Sequence, residues 1–218
     1  MSPRPYQLGK RQAQIDQSRQ RVVDAARSLL ADAASYTAFT VDAVARKADV
    51  ARATIYYQFE SKAGLLEALC DHLAEAGKLS ELAAAFADPD PAGALGAFVG
   101  CFGRFWAADR LVMRRLRALA ALDPEVGTVI ASRDERRRAG LQLLVGRLAD
   151  ERALTVEPQW AVTMLQAITS FETFDAVAAP GQELTEVVPD IRRLAEAALG
   201  YSPGQLPSGK PPRSDTIG

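Results

Sequence analysis

The sequence predicts an all-α protein. Apolar side chains recur at helical spacing in almost every segment, and no stretch shows the sustained alternation of apolar and polar residues that is typical of a strand. The apolar share is 48% of 218 residues, which is enough for a sizeable buried core. Helices therefore account for the fold, and short breaks with proline or capping residues separate them.

The helices follow from the position of each apolar stripe and of each break. Thr40 is a good N-cap residue for the short helix that begins at residue 41, and Ser61 is a good N-cap residue for the fourth helix. The run Asp88-Pro89-Asp90-Pro91 breaks the pattern, because a residue before proline avoids the α conformation. We expect helices over 16–33, 41–48, 51–59, 61–85, a segment containing 98–106, 111–119, 124–152, 158–178 and 184–199.

The two ends of the chain lack this periodicity. Residues 1–15 are expected to form a flexible basic arm, and residues 201–218, rich in Pro, Gly and Ser, a disordered tail. The N-terminus lacks the apolar core of a signal peptide, and no apolar run approaches the roughly 18 residues that span a bilayer. We therefore expect a cytoplasmic protein that does not contact a membrane.

Charge is distributed unevenly along the chain. Residues 1–62 carry ten Lys or Arg and six Asp or Glu side chains, whereas the remainder carries 16 and 21. This distribution predicts that the N-terminal part meets an anion.

Cys70 and Cys101 lie in apolar surroundings, so burial is expected for both and a redox switch is the alternative. The sequence predicts no metal site, no catalytic residue and no cofactor.

Two short helices joined by a tight turn at 49–50 form a candidate helix-turn-helix. In such a unit the second helix enters the major groove of double-stranded DNA. Because Ile55 and Phe59 share the apolar face of this helix, its other side chains are free to contact DNA. These side chains are a cation, hydroxyls and aromatic rings, which suit phosphates and base edges. They are Arg52, Ala53, Thr54, Tyr56 and Tyr57.

The segment 39–62 resembles the DNA-binding signature of the TetR family of transcription regulators. The matching features are Thr-Val at the start of a helix, the Ala-x-Val turn, Thr-Ile-Tyr-Tyr-x-Phe, and Ser-Lys-x-x-Leu-Leu. The resemblance implies about nine helices. A three-helix DNA-binding domain (16–62) is then joined by a long helix to a helical bundle that binds a ligand and dimerises (63–200). It also implies a homodimer on a palindromic operator, usually a repressor that a small-molecule effector releases.

The resemblance also suggests roles for individual residues. Thr40, Thr54, Tyr56, Tyr57 and Lys62 match positions that commonly touch phosphates, and Arg52 and Ala53 match positions that read bases. Two residues depart from the pattern. Asp49 stands where glycine is usual, and Asp tolerates the left-handed conformation better than most residues. Ala51 stands where a serine N-cap is usual, a loss of about 1 kcal/mol unless Asp49 reaches forward as a substitute.

An aromatic and methionine-rich set of side chains is the candidate effector site, although such stripes are more often plain core. It comprises Phe102, Phe105, Trp106, Leu144, Met164, Ile168 and Glu172. Glu172 could instead be a dimer contact or a solvated residue.

The charge run 133–138 is interpreted as a solvated helix face. By resemblance, helices 158–178 and 184–199 pair with their copies in a second subunit.

Two other classes of protein are weighed against this one. An enzyme would use Glu172 and Asp175 as a carboxylate pair, but the sequence offers no nucleophile, phosphate loop or metal set to accompany them. A DNA-binding protein without any effector remains the alternative, and a fully packed interior would favour it. The sequence does not identify the operator, the effector, the regulated genes or the sign of regulation.

Overall fold

The computed structural model describes residues 4–32, 39–150 and 154–200, with side chains from residue 12 onward. Within these ranges the chain forms α-helices, one short 3₁₀ helix and turns, and it contains no strand, which confirms the all-α prediction. The helices are α1 (Arg4–Ala31), α2 (Val41–Ala48), α3 (Arg52–Phe59), α4 (Lys62–Ala76), a 3₁₀ helix (Leu79–Glu81), α5 (Leu82–Ala87), α6 (Pro91–Ala108), α7 (Arg110–Ala120), α8 (Pro124–Asp150), α9 (Pro158–Ile168), α10 (Phe171–Val177) and α11 (Val188–Ala198).

The first three helices form one packed unit. Val22, Ala26 and Leu30 of α1 are fully buried and belong to the same apolar cluster as Val44 and Ile55. Helix α2 has the bounds that the sequence predicts. The hydroxyl of Thr40 accepts a hydrogen bond from the backbone N–H of residue 43 at 3.1 Å, so the predicted N-cap is confirmed.

Helix α1 begins earlier than expected, at Arg4 rather than at residue 16. Most of the predicted flexible arm, 1–15, is therefore the first three turns of this helix. Straight-chain Gln, Lys and Arg side chains lose little freedom in a helix, and Pro5 is tolerated in its first turn. Most of the predicted loop 34–39 and the predicted tail 201–218 lie outside the described residues.

Helix α4 ends at Ala76, well short of the predicted residue 85. A Cβ atom on Gly77 would lie 2.7 Å from the Cα of Phe105, so only glycine allows α6 to approach this closely. Lys78 then adopts a left-handed conformation with φ 54°, which ends the helical path. The chain continues as the 3₁₀ helix and α5.

The predicted helix 158–178 is two helices, α9 and α10. Thr169 is fully buried, and Ser170 has an extended backbone (ψ 157°) that interrupts the helix. The hydroxyl of Ser170 then caps the N-terminus of α10. This break and the one after α4 explain why the described residues hold eleven α-helices and not about nine. The last helix also starts later than predicted, at Val188 rather than at residue 184, with Pro189 in its first turn.

Helix α8 lies at the centre of the remaining helices and packs against α4, α6, α7 and α9. Its buried stripe contains Arg137, of which only 6% is exposed, and Arg133 is half-buried on the same face. The interpretation of 133–138 as a solvated face is therefore wrong for these two arginines and holds for Glu135 and Arg136, which are exposed. No helix among the described residues is long and apolar enough to cross a membrane.

Candidate nucleic-acid interface and interior cavity

Helix α3 is fixed by one face and presents the other to solvent. Ile55 is fully buried and Phe59 almost so, as their i, i+4 spacing predicts. On the opposite face 79% of Tyr57 and 39% of Tyr56 are exposed. Arg52 and Ala53 are also exposed, and Thr54 is half-buried. The five predicted α3 residues thus form one accessible surface.

Arg52 is held in place at the start of α3. Its guanidinium donates to the carboxylate of Asp42 at 3.2 Å and to the Tyr56 hydroxyl at 3.2 Å. The Tyr56 hydrogen bond and the Asp42 charge both raise the pKa of Arg52, which keeps the side chain cationic. Asp42 was not predicted as a partner, although it lies in the first turn of α2, close to the start of α3. These bonds orient a charged donor on the exposed surface.

The turn between α2 and α3 forms despite the missing glycine. Asp49 has φ 53° and ψ 52°, the left-handed conformation that the sequence requires there. Its N–H donates to the Arg46 carbonyl, and the N–H of Val50 donates to the Ala45 carbonyl, which closes α2. Ala51 provides no side-chain cap, and no side chain of the described residues replaces it at the α3 N-terminus.

The C-terminal end of α3 is anchored to α1. Arg19 donates to the Gln58 carbonyl at 2.6 Å, and its guanidinium lies 4.2 Å from the centre of the Phe59 ring. The Gln58 amide donates to the Ser18 hydroxyl at 3.1 Å. Both ends of α3 are therefore bonded to neighbouring helices, which orients the exposed surface.

Lys62 differs from the other predicted DNA contacts. Its ammonium group is paired with Asp123, and with Glu125 at 3.6 Å, and its side chain is only 17% exposed. Both acids precede or begin α8, so this lysine joins the start of α4 to the larger helical part. Contact of Lys62 with a phosphate remains a prediction, and it requires release of these acids.

Thr40 is exposed at the start of α2, and its contact with a phosphate also remains a prediction.

Two further contacts tie the three-helix unit to α7. Arg27 donates to Asp109 at 2.5 Å, and Arg115 donates to the carbonyl of Leu30 at 2.8 Å. The unit is therefore joined to the rest of the chain through α1 and through α4.

A cavity of about 70 Å³ lies between α4, α6, α7 and α8. Of the seven predicted effector residues, Phe105 and Trp106 line it. The others do not: Phe102 and Leu144 are buried in the core, and Met164 and Ile168 are half-buried. The remaining lining residues, which the prediction missed, are Cys70, Ala74, Leu79, Met113, Leu116, Arg117, Ile130, Arg133 and Asp134.

Charged side chains form a network on one side of this cavity. Arg117 pairs with Asp134 at 2.9 Å and with Glu172, which is exposed and does not itself line the cavity. Arg137 donates to the Thr169 hydroxyl at 2.8 Å and lies 3.4 Å from Asp134. The i, i+3 and i, i+4 positions of 130, 133, 137 and 141 were the signal for inward-facing arginines on α8.

The proposed enzyme pair does not form a common site. Glu172 is bonded to Arg117, whereas Asp175 accepts from Arg110 at 2.7 Å and from Arg114 at 2.7 Å. The two carboxylates therefore pair with different arginines of α7. Among the described residues no group of three or more His, Cys, Asp or Glu is placed to hold a metal ion.

Known proteins share both the motif and the fold of this chain. Residues 22–69 match the family model described as "Bacterial regulatory proteins, tetR family". A comparison with curated protein sequences gives no match.

Solved structures with the same fold cover nearly the whole described chain. The TetR family transcriptional regulator PfmR from Thermus thermophilus is 20% identical, with a TM-score of 0.60 over 83% of this chain and 98% of that one. A TetR transcription regulator from Haloarcula marismortui is 18% identical, with a TM-score of 0.63 over 85% and 97%. The fatty acid degradation regulator FadR from Bacillus halodurans is also 18% identical, with a TM-score of 0.61 over 85% and 97%.

The exposed helix α3, on a three-helix unit with a buried core and a helical bundle behind it, has the arrangement of a helix-turn-helix DNA-binding regulator of transcription. Residues 22–69 match the model of the TetR family of bacterial regulatory proteins, and the described residues have the fold of solved regulators of that family. The predicted fold is confirmed, and the match of residues 22–69 agrees with the predicted family.

Proposed function

We propose that this protein is a ligand-responsive transcriptional regulator, most simply a repressor, that binds a palindromic operator as a homodimer. In this proposal residues 16–62 bind DNA, and residues 63–200 bind a small-molecule effector and dimerise. The observation that carries the proposal is the exposed surface of α3, which combines Arg52, Thr54 and two tyrosines on a helix fixed at both ends. Such a surface fits the edges of bases in the major groove.

Dimerisation follows from the amount of sequence that one recognition helix can read. A helix-turn-helix monomer contacts one half-site, and two half-sites lie about 34–36 Å apart on one face of DNA. Trp160 of α9, Val177 of α10 and Leu194 of α11 are large apolar side chains with 46%, 38% and 46% exposure. They lie on the helices that the sequence analysis assigns to the dimer, and a second copy would cover them.

Effector control is supported by the position of the cavity. Helix α4 supplies part of its wall through Cys70 and Ala74, and the same helix begins at Lys62 beside the recognition unit. A ligand that favours one position of α4 would change DNA affinity by the difference in its affinity for the two states. A 100-fold release corresponds to about 2.7 kcal/mol of coupling, and DNA must weaken effector binding by the same factor.

A DNA-binding protein without an effector is the second candidate. The size of the cavity favours it, because about 70 Å³ is far below the roughly 300–1,000 Å³ of typical ligand sites. The two candidates differ in whether a small molecule binds the interior and alters DNA affinity.

Selection of duplexes from a random double-stranded pool, followed by titration at several salt concentrations, tests the proposal. We expect a near-palindromic sequence whose binding constant falls steeply with salt, with a slope of about −0.9 for each phosphate neutralised. Failure to enrich any sequence, or a binding constant that is flat from low to moderate salt, would contradict DNA recognition by this chain.

A further inference from the structure

Two guanidinium groups line the otherwise mainly apolar cavity between α4, α6, α7 and α8. The side chains of Arg117 and Arg133 are only 16% and 22% exposed. The cavity wall next to them contains the aromatic rings of Phe105 and Trp106. Burial raises the pKa of the Cys70 thiol to about 11, so this neighbour is uncharged. The cavity therefore combines aromatic surface with two cations and one carboxylate, that of Asp134, which pairs with Arg117 at 2.9 Å.

Of the four acids that pair with these arginines, Asp134 has the least exposed side chain, at 27%, and the other three are more accessible to water. Arg133 pairs with Glu67, and with Asp71 at 2.6 Å, both on α4, and their side chains are 33% and 69% exposed. The Glu172 side chain, which pairs with Arg117, is 57% exposed. Accessible carboxylates regain hydration when their partners leave, so an anion arriving from solution can replace them at low cost.

Unused hydrogen-bond donors indicate the charge of such a ligand. The Nε atoms of Arg133 and Arg137 are buried without a hydrogen-bond partner among the described residues. A buried unpaired donor is unfavourable, and an acceptor relieves it. Burial lowers the pKa of Arg137, and the neighbouring charge of Arg117 lowers it further, against the opposing effect of Asp134. A cationic ligand brings no acceptor for these N–H groups, whereas a carboxylate brings two acceptor oxygens.

We propose that the effector is an organic carboxylate with a compact aromatic or apolar body. Its carboxylate binds Arg133 and Arg117, and its body packs on Phe105 and Trp106. A carboxylate matches the planar guanidinium donors better than other anionic groups of this size. The inference rests on the proposed function, since it names the class of ligand that acts at the effector site.

Binding of this carboxylate also has a structural consequence. An apolar cavity of about 150 Å³ holds benzene, whereas the cavity here measures about 70 Å³. The ligand must therefore separate α4 from α8. It does so by taking Arg133 away from Glu67 and Asp71, which join this residue of α8 to α4.

Calorimetric titration of the full chain without DNA tests this selectivity with three probes of similar shape: benzoate, benzyl alcohol and benzylamine. At neutral pH these carry a negative, no, and a positive charge. We expect benzoate to bind at least about tenfold more tightly than benzyl alcohol, equivalent to roughly 1.4 kcal/mol, and benzylamine to bind most weakly. Arg133→Gln should abolish the preference for benzoate. Arg136→Gln, a change of an exposed arginine on the same helix, should retain it.

Equal affinities, tightest binding of benzylamine, or no binding of any probe would overturn the proposal, as would a benzoate preference that survives in Arg133→Gln. If Arg133→Gln does not fold, as judged by circular dichroism, Arg117→Gln carries the same expectation. Because the titration contains no DNA, its result is independent of whether the chain recognises an operator. Failure of duplex selection alone would contradict the proposed function and leave the assignment of the site unchanged.

Discussion

Single residues in the α2–α3 turn determine how the recognition helix begins. Asp49 adopts the left-handed conformation with φ 53°, which glycine adopts without a steric penalty. Ala51 occupies the N-cap position in an extended conformation but has no side-chain oxygen to accept from the first-turn N–H groups. The sequence predicted both features, because turn and capping chemistry depends on a few neighbouring residues.

Ala51→Ser should stabilise the protein. The serine hydroxyl would accept a hydrogen bond from the first turn of α3, so we expect the free energy of unfolding to rise by about 1 kcal/mol in urea denaturation. Ala53→Ser is the matched control, because it places the same hydroxyl inside the helix and should lower stability by about 0.5 kcal/mol or less. Equal effects of the two substitutions would contradict the assignment of residue 51 as an uncapped N-cap.

At the scale of helices, local sequence patterns predicted some boundaries and missed others. Helix α2 was predicted fully, because Thr40 caps it and Asp49 ends it. The end of α4 coincides with the left-handed conformation of Lys78 and with the close approach of Phe105 to Gly77, a tertiary contact between segments about 30 residues apart. The buried arginines of α8 were missed because the charge run was judged as a block, although their spacing continues the apolar stripe.

Helix α10 is attached to α7 by Asp175, which accepts hydrogen bonds from Arg110 and Arg114. Burial of the carboxylate opposes ionisation, but the bonds from Arg114 and Arg110 outweigh it and lower the pKa of Asp175. A lowered pKa in the folded state means that this stabilisation is complete above the unfolded value of about 3.9. It is lost as the pH falls through the folded value.

Asp175→Asn should therefore destabilise the protein in a pH-dependent manner. We expect a loss of about 2 kcal/mol near neutral pH, since two charged hydrogen bonds are weakened, and a smaller loss at acid pH where the wild-type carboxyl is protonated. Urea denaturation at both pH values measures the difference. Asp190→Asn, at a more exposed ion pair, should change stability by less than about 0.5 kcal/mol at either pH. A loss that is independent of pH would contradict the role of the Asp175 charge.

On the scale of the whole molecule, the three-helix unit and the larger helical part share one apolar cluster and several ion pairs. The sequence predicted the order of these parts from charge and from the motif of 39–62. It did not predict the contacts of Lys62 with Asp123 or of Arg133 with α4, because partners 61 to 66 residues apart leave no local pattern.

Leu194→Asp should convert the proposed dimer to monomers. An aspartate on the exposed apolar face of α11 would lose hydration when the second copy covers it, so sedimentation at micromolar concentration should give the mass of a monomer. Leu122→Asp is the control, because Leu122 is 76% exposed in the α7–α8 turn, far from that face in sequence, and should leave the dimer intact. A wild-type chain that sediments as a monomer would contradict the proposed dimer directly.

The exposed surface of α3 is the part of the molecule on which the proposed function depends, and Arg52 is its charged residue. Fluorescence anisotropy with the selected duplex and with an unrelated duplex, at one salt concentration, tests it most directly. We expect Arg52→Ala to weaken binding to the selected duplex by about 1–3 kcal/mol. The effect on the unrelated duplex should be much smaller, and Arg136→Ala should change neither. An equal loss on both duplexes, or no loss on the selected one, would contradict sequence recognition by α3.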